Sequence, residues 1–132
     1  MKFNSQICTT KKQSERLLAL GLKKETADMV IRPDNTLIVI NENSFIYHNL
    51  EKAIQEGYFP AWSLHRLMCL CPTEINGYDF YVSHDYVHYH DMFTGYEDDE
   101  LVGFFKDNPF DSLIDCIEWL IKEGYFNKEY LK

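Results

Sequence analysis

The sequence predicts an α+β fold: a small antiparallel sheet of three to four strands with helices packed on one face. Three observations carry this expectation. Short β-branched and aromatic runs at residues 36–40, 78–83, 86–92 and 101–105 have strand character. Two segments, after Thr10 and after Asn108, combine an N-cap residue, an apolar helical stripe and a closing glycine. The 132 residues suffice for one domain, 1–132, and not for two.

The first helix is framed by Thr10 and Gln13, which fit a capping box in which each side chain satisfies the other's free backbone N–H. Ser14, Leu17, Leu18 and Gly21 share one face, and Gly21 suits the position just past the helix, where φ > 0 costs glycine nothing. Thr26-Ala27-Asp28-Met29 reads as a second short helical turn, ended by Pro33. Residues 36–40, Thr-Leu-Ile-Val-Ile, read as a buried strand, too short for a lone helix. Asn41-Glu42-Asn43-Ser44 has turn chemistry, and Phe45-Ile46-Tyr47 extends the sheet. Asn49 is expected to cap a short helix through Leu50, Ala53 and Ile54, stopped by Gly57.

Pro60-Ala61-Trp62-Ser63 opens a third helix, with Ser63 as N-cap, Leu64, Leu67, Met68 and Cys71 facing inward, and Pro72 as its end. Asn76-Gly77 is a turn, and Ser83-His84-Asp85 joins two strands into a hairpin. Gly103 weakens the strand at 101–105. In the last helix Asn108 caps and Pro109 takes the first position, while Asp111 and Asp115 lie near its positive end. Leu113, Ile114, Ile117, Leu120 and Ile121 form its stripe, Cys116 lies beside it, and Gly124 stops it. Residues 51–59 and 118–126 echo each other, and convergent capping chemistry accounts for the echo.

The net charge of −8 is unevenly spread: residues 1–66 sum to +2 and residues 67–132 to −10. That balance argues against direct nucleic-acid binding, which neutralises phosphates with Lys and Arg. No apolar run approaches the roughly 18 residues of a membrane span. The Met-Lys-Phe-Asn-Ser start lacks the apolar core of a secretory signal, so a cytoplasmic protein with no membrane association is expected. Cys8, Cys69, Cys71 and Cys116 match no zinc or redox spacing and read as reduced thiols.

Three groups of residues bear on chemistry. His84, His88 and His90, with Asp85 and Asp91, form a candidate metal site, because His88 and His90 share one face of a strand. The competing account is a half-exposed strand in which histidine alternates with Val87 and Tyr89. His65 and Cys69 share a helix face, but Cys69 lies near a helix C-terminus, where a thiolate is disfavoured. Glu97, Asp98, Asp99, Glu100 and Asp107 make a candidate acidic interaction surface. The aromatics between 78 and 110 read first as core and cross-strand packing, and next as a protein-binding face with an acidic rim. There is no Gly-rich phosphate loop, no residue is assigned a catalytic role, and no cofactor is called for.

Three blocks together resemble a group of small uncharacterised bacterial proteins, many encoded in prophages or other mobile elements. They are Cys8-Thr9-Thr10-Lys11-Lys12-Gln13-Ser14 with Leu20-Gly21-Leu22 and Thr26-Ala27-Asp28-Met29; Pro60-Ala61-Trp62-Ser63-Leu64 with Leu67 and Pro72; and Cys116, Trp119 and Leu120 with Gly124-Tyr125. The matched residues are caps and core, so the resemblance implies a shared fold and a cytoplasmic accessory role, with no catalytic residue to transfer. The expected function is therefore a non-enzymatic protein-interaction module using the acidic second half. A metal-binding or metal-dependent enzyme at His84, His88 and His90 is the first alternative, and an acidic mimic of nucleic acid the second. Self-association through the basic N-terminal segment stays open.

Overall fold

The computed structural model describes residues 1, 5–41, 48–91 and 99–132. The fold is α+β, with two small antiparallel sheets of three and four strands. It divides into two compact units, residues 1–66 with 130–132, and residues 67–129.

In the first unit, helix α1 (Lys11–Ala19) has the expected capping box: Gln13 N–H donates to Thr10 Oγ1, and Thr10 N–H to Gln13 Oε1. Gly21 closes the helix with φ 99°. The predicted helical turn at 26–29 gives way to a 3-10 turn over Lys24–Thr26, followed by strand β1 (Met29–Ile31). Met29, Val30 and Ile31 are all buried, because β1 is the middle strand between β2 (Leu37–Val39) and β3 (Phe59–Ala61). A three-residue run buried on both faces has no periodicity to announce it. Met29 and Ile31 pack with Cys8 and Ala61 on one face, and Val30 with Ile40 and Leu50 on the other.

The strand predicted as buried is instead at the edge of this sheet. Among the described residues β2 pairs only with β1, and Leu37 and Val39 stay exposed. Asn35, with φ 67°, turns the β1–β2 hairpin. β3 contains Pro60, which an edge strand tolerates because its missing N–H faces away from the ladder. Thr9 N–H donates to Trp62 O, and Trp62 N–H to Thr9 Oγ1, so the chain just before α1 covers the β3 side. The buried Trp62 donates its indole N–H to Thr26 Oγ1. Helix α2 (Leu50–Gln55) forms as expected, but the Asn49 side chain does not cap it. The predicted sheet extension at Phe45-Ile46-Tyr47 lies outside the described residues.

Helix α3 (Leu64–Leu70) starts where Ser63 Oγ accepts from Arg66 N–H, the predicted N-cap bond. His65 and Cys69 are exposed on its outer side.

In the second unit, β4 (Glu74–Ile75), β5 (Tyr78–Val82), β6 (Tyr86–His90) and β7 (Glu100–Phe105) form a sheet in that order. β4 was not anticipated. It pairs with β5 across Asn76-Gly77, where both residues have positive φ (50° and 89°), the geometry a two-residue hairpin turn demands. Helix α4 (Pro109–Glu123) matches its prediction: Asn108 Oδ1 accepts from Phe110 N–H, Pro109 is first, and Gly124 ends it at φ 80°. Its stripe packs against β6 and β7, and Ser112 Oγ donates to Asp85 O at the β5–β6 turn.

Candidate functional site

Strand pairing sorts the second sheet into two chemically distinct faces. In β6, Val87 and Tyr89 are buried, opposite Val82 and Phe80 of β5 and Phe104 and Val102 of β7. The Tyr89 hydroxyl reaches Pro72 O at 2.7 Å, and Phe104 meets Trp119 of α4. This is the core face. The period of two sends Tyr86, His88 and His90 to the other face. There they meet Tyr81 and Asp79 from β5, and Phe105, Gly103 and Glu100 from β7.

At the centre of that face, the Tyr86 hydroxyl donates to Glu100 Oε1. The same carboxylate oxygen lies 3.3 Å from His88 Nδ1. The His88 ring stacks on Tyr86, with centroids 4.7 Å apart, and lies 5.5 Å from Tyr81 and 5.6 Å from His90. Gly103 makes this possible. A Cβ there would fall 2.6 Å from Glu100 Oε1 and 2.8 Å from Tyr86 Cζ. The residue that weakens the strand in sequence is the one that gives the tyrosine and carboxylate room to meet over the sheet. A register shift at Tyr89/His90 brings Glu100 opposite His90.

The environment tunes both aromatic acids and bases. Burial, then the Glu100 carboxylate, push the Tyr86 phenol up to about 12. Burial lowers His88, opposed by Glu100 and reinforced by His90. The face thus holds a neutral tyrosine and a predominantly neutral imidazole beside the Glu100 side chain at pH 7. Tyr86, His88, His90 and Tyr81 are half-buried, whereas Phe105 is 66% exposed.

The predicted metal trio is not assembled. His88 and His90 share the face as expected, but the His84 side chain is 89% exposed in the turn, 3.5 Å from Asp85. Among the described residues, no group of three His, Cys, Asp or Glu side chains is arranged to hold a metal ion. The acidic residues also separate. Glu97 and Asp98 lie outside the described residues. Asp99 O accepts from Asp91 N–H at 3.0 Å, Asp107 is exposed, and Glu100 turns onto the sheet. From sequence alone, His88 and His90 fall in one group and Glu100 in another, and Gly103 has no functional part. The signal available was register: pairing 86–90 with 101–105 places His88, His90 and Gly103 on one face, and the register shift at Tyr89/His90 adds Glu100.

Charge follows the division of the fold. Residues 1–66 with 130–132 carry ten basic and seven acidic side chains, net +3; residues 67–129 carry three and fourteen, net −11. Among the described residues, no helix is long and apolar enough to cross a membrane. No protein-family model, curated protein or solved structure matches the chain.

Proposed function

We propose that the chain is a non-enzymatic protein-interaction module, and that the face around Tyr81, Tyr86, His88 and Phe105 binds a partner presenting arginine or lysine. One observation carries the reading: an aromatic sheet face, partly open to solvent, stands in a unit of net charge −11. Protein interfaces concentrate aromatic residues at their centre and charge at their rim. Guanidinium groups stack on aromatic rings, and a negative field speeds their approach. The acidic residues then set encounter and specificity, while the rings supply contact area. An accessory role toward a host or phage protein, expected from the capping and core blocks, is part of the same proposal.

The test is titration with a hexa-arginine peptide at low and high salt, alongside Phe105→Ser and Tyr81→Ala variants. Binding that weakens with salt and falls in both variants is expected. Equal binding by the variants would assign the peptide to undirected charge attraction and refute the proposed face.

A further inference from the structure

The three-stranded sheet treats its two edges differently. The β3 side is covered: Thr9 N–H bonds Trp62 O, and Cys8 bridges to Ser63. The β2 side has no such cover among the described residues. Hydrogen bonding tells which groups face outward there. Arg32 N–H donates to Thr36 O, and Ile40 N–H to Asp28 O. Antiparallel ladders alternate. Thr36, Ile38 and Ile40 therefore turn their main-chain groups to β1, and Leu37 and Val39 turn theirs away.

The side chains at this edge are equally exposed. Leu37 is 39% and Val39 64% accessible, beside Ile7 at 61%. A cleft of about 340 Å³ lined by Ile7, Ile31 and Leu37 adjoins them. Edge strands in proteins that stay single are blunted by lysine, proline, a bulge or a cover. Residues 35–41, Asn-Thr-Leu-Ile-Val-Ile-Asn, contain neither lysine nor proline, nor any charge.

We propose that β2 is a self-association edge, pairing antiparallel with β2 of a second copy about a two-fold axis through Ile38. The geometry is self-complementary. With Ile38 on the axis, Leu37 faces the partner's Val39, and Val39 the partner's Leu37. Each such pair exchanges both N–H···O bonds, so every outward main-chain group of the two residues is satisfied. The exposed leucine and valine side chains become cross-strand pairs, with the partner's Val39 lying beside the cleft. Because residues 35–41 are uncharged, no like charges are brought opposite each other. A second copy is favoured over a foreign strand because one apolar, uncharged strand supplies both halves of this register. The product is a continuous six-stranded sheet with an isologous interface.

The experiment is sedimentation equilibrium of the full chain from micromolar to sub-millimolar concentration, with Val39→Pro and Val39→Lys. Val39→Pro removes an outward N–H and leaves the bonds of Ile38 and Ile40 to β1 in place. Val39→Lys keeps every main-chain group and sets two like charges near the axis. The wild type is expected to approach twice the 15.7 kDa of one chain, and both variants to stay at 15.7 kDa with unchanged far-UV circular dichroism. Should Val39→Pro unfold, Val39→Lys decides. A monomeric wild type throughout, or a dimer that survives in a folded variant, would overturn the proposal. So would a monomer that instead captures an extended apolar peptide at this edge.

Discussion

Gly103→Ala adds one methyl group at the point where the outer face of the four-stranded sheet is tightest. The new Cβ would sit 2.6 Å from Glu100 Oε1 and 2.8 Å from Tyr86 Cζ, well inside ordinary contact. Both neighbours are side-chain ends, so they swing away and the backbone stays. Gly103 has no positive φ, so alanine fits its conformation and gains about 0.4–1 kcal/mol by restricting the unfolded chain. Against this stands the Tyr86–Glu100 hydrogen bond. A bond to a charged group is worth about 1.5–3 kcal/mol, and at the lower end on a half-exposed face. The loss of the His88 contact adds to it. The expected net is about 1 kcal/mol of destabilisation, a few degrees in Tm.

The sharper readout is the phenol itself. Burial, then Glu100, push the Tyr86 phenol up to about 12, and freeing it from Glu100 removes that share and moves it toward the ordinary value of about 10. Absorbance at 295 nm, as a difference between wild type and variant, isolates this one tyrosine. Glu100→Gln should move the same tyrosine without adding a methyl. A raised phenol pKa favours the neutral form in the folded state, so the wild type loses this stabilisation as pH rises from 10 through 12. An unchanged tyrosine titration in Gly103→Ala, with stability equal or higher, would refute the role given to this glycine.

Other outcomes follow from the same geometry. Because burial depresses His88 below its ordinary 6.5, the unfolded chain takes up the proton first on acidification. Stability should therefore fall as pH drops below 6.5, and thermal melts of His88→Gln should show a flatter slope there; parallel slopes would contradict this. Thr9→Val keeps the shape of a fully buried side chain but strands Trp62 N–H and Ser14 Oγ, which now meet Thr9 Oγ1 at 3.0 and 2.7 Å. Urea unfolding should register a loss of about 1–3 kcal/mol, and a neutral result would deny the network its role. Cys69 is the exposed thiol, whereas Cys8, Cys71 and Cys116 are buried. Hydrogen bonding to Cys116, then burial, holds Cys71 well above the ordinary thiol range, and burial raises Cys8. Iodoacetamide should modify one cysteine in the native protein, at position 69, and all four after denaturation, read by intact mass.

The parts legible in the sequence are those where one residue does one local job. Thr10 with Gln13, Ser63, Asn108 and Gly124 mark helix ends because capping is local chemistry. The hairpin of β5 and β6 was legible from its aromatic and β-branched runs and a short polar connection. What was missed depends on neighbours distant in sequence. Met29-Val30-Ile31 becomes a strand because β2 and β3 flank it. The same topology leaves Leu37 and Val39 at an edge, although composition alone marked them for the core. Asn49 was a plausible cap by residue type, but its backbone, at φ −127° and ψ 28°, does not aim the side chain at the helix. The candidate site was half legible: His88 and His90 followed from strand period, whereas the link through Glu100 and Gly103 needed the register of a third strand.

The outer face of the four-stranded sheet is the binding surface proposed for this chain. Its most direct measurement is a two-dimensional NMR titration of the isotope-labelled chain with hexa-arginine at low salt. Shift changes centred on Tyr81, Tyr86, His88 and Phe105, abolished by Phe105→Ser, are predicted. Changes centred elsewhere, or none at all, would contradict the claim.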